Sequence, residues 1–251
     1  MKKILSNKGY LVGSLWVMIL CVSGCKKGYD FDNTTNMNNN NGISPDEKEV
    51  SFDIKDFDEM YLNGGMSIKV TQGATYSLTI KGDPTDIQDL EVSVKSNLLQ
   101  IYYKQAREKR YRMTALMTVP SLRKIKLEGA ITSVFDNFQN TKVWSIQLVG
   151  ASKMEMPLKS ELLELQISGA STAKLSGVCT EVAAKIEGAS SMDGSNLDSQ
   201  NTSLEVNGTS NASIKVSNKL NVVATGASSV YYYGDPITNI KTDGVCIVQK
   251  K

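Results

Sequence analysis

Residues 169–190 read GASTAKLSGVCTEVAAKIEGAS: a Gly-Ala-Ser triplet, sixteen other residues, and the same triplet again. The triplet belongs to a series. It stands as EGAIT around Gly129, VGASK around Gly150, SGAST around Gly169, EGASS around Gly188, NGTSN around Gly208, TGASS around Gly226 and a worn DGVCI around Gly244, at intervals of 21, 19, 19, 20, 18 and 18 residues. A self-similar step of this length is the mark of a repeat architecture, in which each unit is too small to bury its own apolar face.

Alignment on the glycine shows what each unit contains. Four residues before it stand Ile125, Ile146, Leu165, Ala184, Leu204, Val222 and Ile240, and two before it Leu127, Leu148, Ile167, Ile186, Val206, Ala224 and Thr242. Between these columns lie Lys126, Gln147, Gln166, Lys185, Glu205, Val223 and Lys241. Alternation with period two is the pattern of a strand with one buried face. After the glycine the alternation resumes, with Met154, Ala173, Met192, Ala212 and Val230 in one apolar column and Glu155, Lys174, Asp193, Ser213 and Tyr231 in the column beside it. Each repeat therefore reads as strand, Gly-Ala-Ser corner, strand and polar return.

Stacked copies of such a unit share one core and pair each strand with its counterpart in the next coil. The expected fold is all-β: a single-stranded parallel β-helix, or β-solenoid, of about 18–21 residues per coil, right-handed because parallel crossovers almost always are. A hairpin meander is disfavoured, since returns such as SGVCTEVA and NLDSQNT carry no uniform turn signature. The corner posts are Gly129, Gly150, Gly169, Gly188, Gly208 and Gly226, with Ala151, Ala170, Ala189 and Ala227 and with Ser152, Ser171, Ser190 and Ser228. Glycine supplies unusual backbone angles, alanine is expected inside a crowded corner, and serine hydroxyls can stack from coil to coil.

Upstream of the repeats, MYLNGGMSIKVTQGATYSLTIKGD alternates like strands broken at Gly64-Gly65 and Gly73, and LEVSVKSNLLQIYYK continues the pattern. Asp83 and Pro84 in GDPTDIQDL predict one capped helical turn. The solenoid domain is expected over 49–251. Before it, residues 25–48 are Asn-rich, nearly free of apolar side chains, and read as a disordered tether. Residues 1–24 have a basic start and the apolar run LVGSLWVMILCVSG, long enough for a signal sequence and too short to span a bilayer. VSGC places small residues before Cys25 and resembles the lipobox of bacterial lipoproteins, so Cys25 is the expected lipidation site and the membrane an expected partner through that lipid. Removing the leader takes away Lys2, Lys3 and Lys8 and leaves 25 basic against 26 acidic residues. That balance gives no reason to expect a nucleic-acid partner.

The opening FDEMYLNGGMSIKVTQGATYSLTIKGD, the lead-in MTVPSLRKIKLEGA, the Gly-Ala-Ser series and the ending YYYGDPITNIKTDGVCIVQKK together resemble the head GIN domain family of auto-transporter adhesin-like proteins, common in Bacteroidetes-type lipoproteins. The resemblance implies a β-helix-like fold and an envelope location, with adhesion suggested by the family's name alone, and it offers no catalytic residue to carry over; the outer membrane, on its periplasmic face or at the cell surface, is the expected location. The last repeat departs from the pattern at its corner, with Val245 and Cys246.

Histidine is absent, which removes the commonest general base and the usual triad and metal chemistries. Cys179 and Cys246 fall several coils apart, beyond disulfide reach, and are expected as free thiols. Glu155, Lys174 and Asp193 stack as one outward column, alternating in sign; they could serve a carbohydrate-active β-helical enzyme, but they suit a soluble surface better. No spacing of Asp and Asn matches a calcium loop, and no cofactor is expected. Two patches are candidate ligand sites: Lys104, Arg107, Lys109, Arg110 and Arg112 in KQAREKRYR, otherwise a charged hairpin turn, and Tyr231 and Tyr233 in VYYYG, able to stack on sugars. The expectation is a lipid-anchored, non-catalytic interaction or adhesion module with a glycan or protein ligand and the capacity to form homo-oligomers. The alternatives are the enzyme just named and a structural component of an envelope assembly.

Overall fold

A computed structural model describes residues 42–136, 138 and 141–251 of the chain. The expected signal peptide, Cys25 and most of the tether lie outside the described residues. The last part of that tether, 42–47, is described, and Ser44 is buried there, its hydroxyl donating to the Asp83 carboxylate at 2.8 Å. Residues of this last part of the tether are thus packed against the rest of the fold, which composition alone does not suggest.

The upstream part comprises β1 (Lys48–Phe52), β2 (Glu59–Gly64), β3 (Ser67–Gln72), β4 (Ser77–Gly82), α1 (Pro84–Gln88), β5 (Leu90–Lys95), β6 (Leu98–Tyr103) and β7 (Thr114–Val119). The repeats supply β8 (Lys124–Gly129), β9 (Thr132–Asp136), β10 (Val143–Gly150), β11 (Lys153–Ile167), β12 (Thr172–Ile186), β13 (Ser191–Val206) and β14 (Asn211–Gly226). The last coils are β15 (Ser229–Tyr233), β16 (Ile237–Gly244) and β17 (Ile247–Lys250). As the sequence predicts, α1 is capped by Asp83, whose side chain accepts from the Thr85 and Asp86 amides, with Pro84 in the first turn.

Repeat strands pair in parallel and in the register of the sequence alignment. Ile125 stands beside Ile146, then Leu165, Ala184, Leu204, Val222 and Ile240, each from the next coil. The fold is a β-solenoid. Strands entering the glycine corner form one wall, here sheet 1, and strands leaving it form the facing wall, sheet 2. The apolar columns of both walls are buried between them except in the last coil, where Ile240 is exposed. This core holds Trp144 edge-on to Phe138, with ring centroids 5.6 Å apart, and in later coils the small Ala173, Ala184, Ala212 and Ala224 share it with larger apolar side chains.

The polar returns differ from expectation. β11 to β14 are single strands of 15 or 16 residues that run through the return from sheet 2 into sheet 1. At the bend the buried positions change parity: in β12 they are Ala173, Leu175 and Cys179 before it, then Val182, Ala184 and Ile186 after it. Hydrogen bonding to the neighbouring coil satisfies the return's backbone without a turn. The coil lengths also have a local cause. The pairing between β12 and β13 shifts by one residue between Lys174 and Ser176, so the longer interval after Gly188 is absorbed in a bulge at Asp193–Ser195.

The upstream strands stack out of chain order. β2 and β3 pair with β8 and β9 on one side and with β6 and β7 on the other, all in parallel. Thus β6 and β7 form the outer coil although they follow β2 and β3 in sequence. Antiparallel β5 closes the edge of β6, and antiparallel β4 and β1 close the edge of β7. At the opposite end, β16 and β17 form the last coil, where Ile237, Val245 and Ile247 are exposed.

Candidate functional site

The corners determine which side chains can reach the surface. Each corner glycine has a positive φ, and a Cβ on Gly169 would stand 2.4 Å from the carbonyl oxygen of Gly150 in the preceding coil. That carbonyl accepts the Ala170 N–H at 2.7 Å, so the same close approach that forbids a side chain makes the hydrogen bond. Ser152, Ser171, Ser190, Ser210 and Ser228 are buried. The Ser171 hydroxyl accepts the Ser152 N–H at 3.2 Å, bridging two coils where the backbone ladder leaves a donor over. The alanines, expected inside, are instead exposed. The chain turns about the serine, so the residue between glycine and serine is on the outside. Cys246 replaces serine in the last corner, and its sulfur receives the Ser228 hydroxyl at 3.5 Å. Cys179 is buried in the core, burial pushes its thiol pKa up, and both cysteines are free.

With the corners fixed, the outer face of sheet 1 presents the alternate positions of every coil in register. The column three residues before the glycine runs Tyr61, Lys126, Gln147, Gln166, Lys185, Glu205 and Val223. Beside it are the smaller Ser145, Ala183, Ser203 and Asn221. The small side chains sink the middle of the face into a shallow depression of about 500 Å³ that crosses six coils. Gln147 donates to the Gln166 side-chain oxygen at 3.4 Å across two of them. The lysines are matched locally: Lys126 with Glu128 at 3.1 Å and Lys185 with Glu187 at 3.0 Å.

A second depression of about 630 Å³ opens at the upstream end of the same face. Its walls include Tyr61 and Asn63 of β2, Tyr102 and Tyr103 of β6, and Gln105 and Arg107 of the following loop. Gly64 admits Tyr103, because a Cβ there would lie 2.6 Å from the ring, and Arg110 covers the ring at 3.6 Å from its centroid. The Asn63 amide donates to the Tyr61 hydroxyl at 2.8 Å, which in turn donates to Glu128 at 3.2 Å.

The basic stretch 104–112 is not a hairpin turn. It joins β6 in sheet 1 to β7 in sheet 2, occupying the corner position of the outer coil. Arg110 is committed internally: it donates to Asp86 at 3.0 Å and makes a short contact to Asp89, both buried carboxylates flanking the end of α1. The Arg110 hydrogen bond and charge hold the Asp89 carboxyl below its ordinary pKa, with Arg107 adding to the effect. Arg107 stands 3.5 Å from Asp86 and 3.9 Å from Asp89. Lys104, Lys109 and Arg112 are exposed. Five basic residues therefore divide into one structural arginine, one loosely held arginine and three surface charges.

The other candidates lie elsewhere. Tyr232 packs against the core, whereas Tyr231 carries Lys251 at 4.3 Å from its ring centroid and, like Tyr233, is only partly exposed. Glu155, Lys174 and Asp193 do form one outer column on sheet 2, with Lys174 paired to Glu155 at 3.8 Å. For Asp193 burial acts to raise the pKa, but hydrogen bonds from Ser195 and Ser213 and the Lys174 charge outweigh it and leave the carboxyl lowered. Among the described residues no cluster of His, Cys, Asp and Glu could hold a metal ion. Sequence reading missed Tyr61, Asn63, Tyr102 and Gln105. The signal was available for the first two: aligning YLNGG on Gly64 places Tyr61 in the column of Gln147 and Gln166.

Residues 56–236 match the family model described as "Putative auto-transporter adhesin, head GIN domain". No functionally curated protein matches the chain. Among solved structures, one described as a putative adhesin from Bacteroides fragilis superposes with a TM-score of 0.77 at 21% identity, covering 83% of this chain and 98% of that one. A putative adhesin from Parabacteroides merdae gives 0.65 at 17%, with 83% and 98% covered. A structure from Parabacteroides distasonis described as a putative lipid binding protein gives 0.69 at 16%, with the same coverages. At these identities the likeness is one of fold.

Proposed function

The chain belongs to the head GIN domain family, and from that premise we propose that it is a lipid-anchored, non-catalytic adhesion module of the outer membrane that holds its ligand against the outer face of sheet 1. The observation carrying this reading is that both depressions lie on that one face, where polar side chains recur in register over successive coils, Gln147 beside Gln166 and Ser203 beside Asn221 among Lys126, Lys185 and Glu205. Donors and acceptors repeated at a fixed strand spacing suit an extended, hydroxyl-rich or amide-rich ligand more than a small substrate. A non-catalytic role is supported by the absence of histidine from the sequence and by the lysine standing between the carboxylates of the sheet 2 column. VSGC before Cys25 supports the anchor, and the tether after it would lift the solenoid from the bilayer.

Attachment of cells displaying the full chain to immobilised envelope polysaccharide tests this reading. Ser203→Trp fills the depression on sheet 1, and Leu116→Trp places the same bulk on the exposed face of sheet 2. The proposal expects the first to abolish attachment and the second to leave it intact. Equal attachment by both variants and the parent would overturn it. For the anchor, Cys25→Ala should release the protein from the membrane fraction and end labelling by fatty acid; persistence of the label would contradict lipidation at this residue.

A further inference from the structure

The cleft at the upstream end of sheet 1 differs from the rest of that face in carrying an arginine whose donors are not used. Arg110 takes the close positions on Asp86 and Asp89, at 3.0 Å and in a short contact, and only 13% of its side chain is exposed. Arg107 faces the same two carboxylate oxygens at 3.5 and 3.9 Å, with 33% of its side chain exposed. Those separations exceed ordinary donor–acceptor distances, so the guanidinium feels the charge but retains its hydrogen-bonding capacity. Beside it, Tyr102 has no hydrogen-bond or ring partner among the described residues. Asn63 is oriented by its bond to Tyr61, and the Asn63 Oδ1 and the Gln105 side chain accept and donate nothing among those residues.

From these groups we infer that the cleft binds a single acidic sugar unit of a saccharide chain, its ring against Tyr102, its hydroxyls on Asn63 and Gln105, and its carboxylate or sulfate on Arg107. The inference rests on the reading of sheet 1 as the ligand-bearing face. The chemistry of the lining selects this class. An aromatic ring with adjacent amides matches the alternating C–H faces and hydroxyl edges of a pyranose. A spare planar guanidinium matches an oxyanion with two acceptor oxygens. Lys104, Lys109 and Arg112, exposed on the same loop, draw anions toward the site without defining its geometry. A volume of about 630 Å³ falls in the range of about 300–1,000 Å³ typical of small-molecule sites.

Titration of the protein with oligogalacturonate, with dextran sulfate and with uncharged dextran tests the assignment. The parent is expected to bind an acidic oligomer and to bind dextran at least about tenfold more weakly, the difference a charge-assisted hydrogen bond supplies; whichever of the carboxylated and sulfated chains binds more tightly identifies the acid. Arg107→Gln should remove the preference for acidic chains while leaving the fold intact, because Arg110 still holds the loop to α1. Tyr102→Ala should weaken every chain about equally. Undiminished acidic binding in both variants, or dextran bound as tightly as the acids by the parent, overturns the inference. Short acidic oligomers should still bind Ser203→Trp, whose bulk lies farther down the face. If the parent binds no short acidic chain while Ser203→Trp still abolishes attachment, the cleft assignment fails and the reading of the face stands; if the parent binds no short acidic chain and Ser203→Trp attaches as well as the parent, both fail.

Discussion

Gly169 shows how tightly one residue type is specified at a corner. Its φ of +84° is costly for other residues, and its Cβ would collide with a backbone oxygen that the next residue needs as an acceptor. Gly169→Ala should therefore destabilise the protein by about 2–5 kcal/mol, the sum of left-handed strain and overpacking, whereas Ala170→Leu, on the exposed outside of the same turn, should change stability by less than about 0.5 kcal/mol. Urea denaturation of both variants checks this, and a larger loss for Ala170→Leu would contradict the corner geometry. Ser171→Ala should cost about 1–3 kcal/mol, because the Ser152 N–H would lose its acceptor in a buried place. Thiol labelling followed by peptide mapping should modify Cys246 and spare Cys179 in the native protein. The glycines and serines were legible in the sequence because their spacing repeats. The outward alanines were not, since small size fits either side of a turn and only the path of the backbone separates them.

The strands of the repeats were legible from their period of two, yet their lengths were not. A return such as SGVCTEVA looks like a polar loop by composition, but β12 continues through it because the neighbouring coils offer a full hydrogen-bonding ladder on both sides. The basic loop was misread for a related reason. Its meaning depends on Asp86 and Asp89, which sequence places about twenty residues away and the fold places under Arg110. Asp89 stays charged to lower pH than an ordinary carboxyl, so the loop's attachment is fully present above the usual carboxylate pKa of about 3.9 and is lost as the pH falls below that through the depressed value of Asp89. Hydrogen exchange should show the Lys104 N–H, which donates to the Asp89 carbonyl at 2.9 Å, protected from pH 7 to 5 and losing protection only below the usual carboxylate pKa of about 3.9. Arg110→Gln should expose it at pH 7, while Arg107→Gln should not. Protection that survives Arg110→Gln would show that another contact holds the loop.

Over the whole molecule, the repeat fixes which residues become neighbours, and the upstream part is where that rule stops being readable. Nothing local in β6 and β7 announces that they stack outside β2 and β3; the order follows from which apolar edges remain to be covered once β8 pairs with β2. The cleft is a product of that arrangement, because Tyr102 meets Asn63 only when β6 lies beside β2. This is why the column lining the depression across the repeats is readable by alignment, although as a site it was not singled out, and the upstream cleft is not readable at all. The central claim is that consecutive repeats are consecutive parallel coils in the glycine-aligned register, with outward columns in line on each face. Oxidation of cysteine pairs placed in one such column tests it directly. Gln147 and Gln166 are register partners on adjacent coils, within disulfide reach, whereas Gln147 and Lys185 are separated by a further coil, on the order of 10 Å. Gln147→Cys with Gln166→Cys should cross-link under mild oxidation, mapped by mass spectrometry, and Gln147→Cys with Lys185→Cys should not; cross-linking of the second pair in place of the first would contradict the stack.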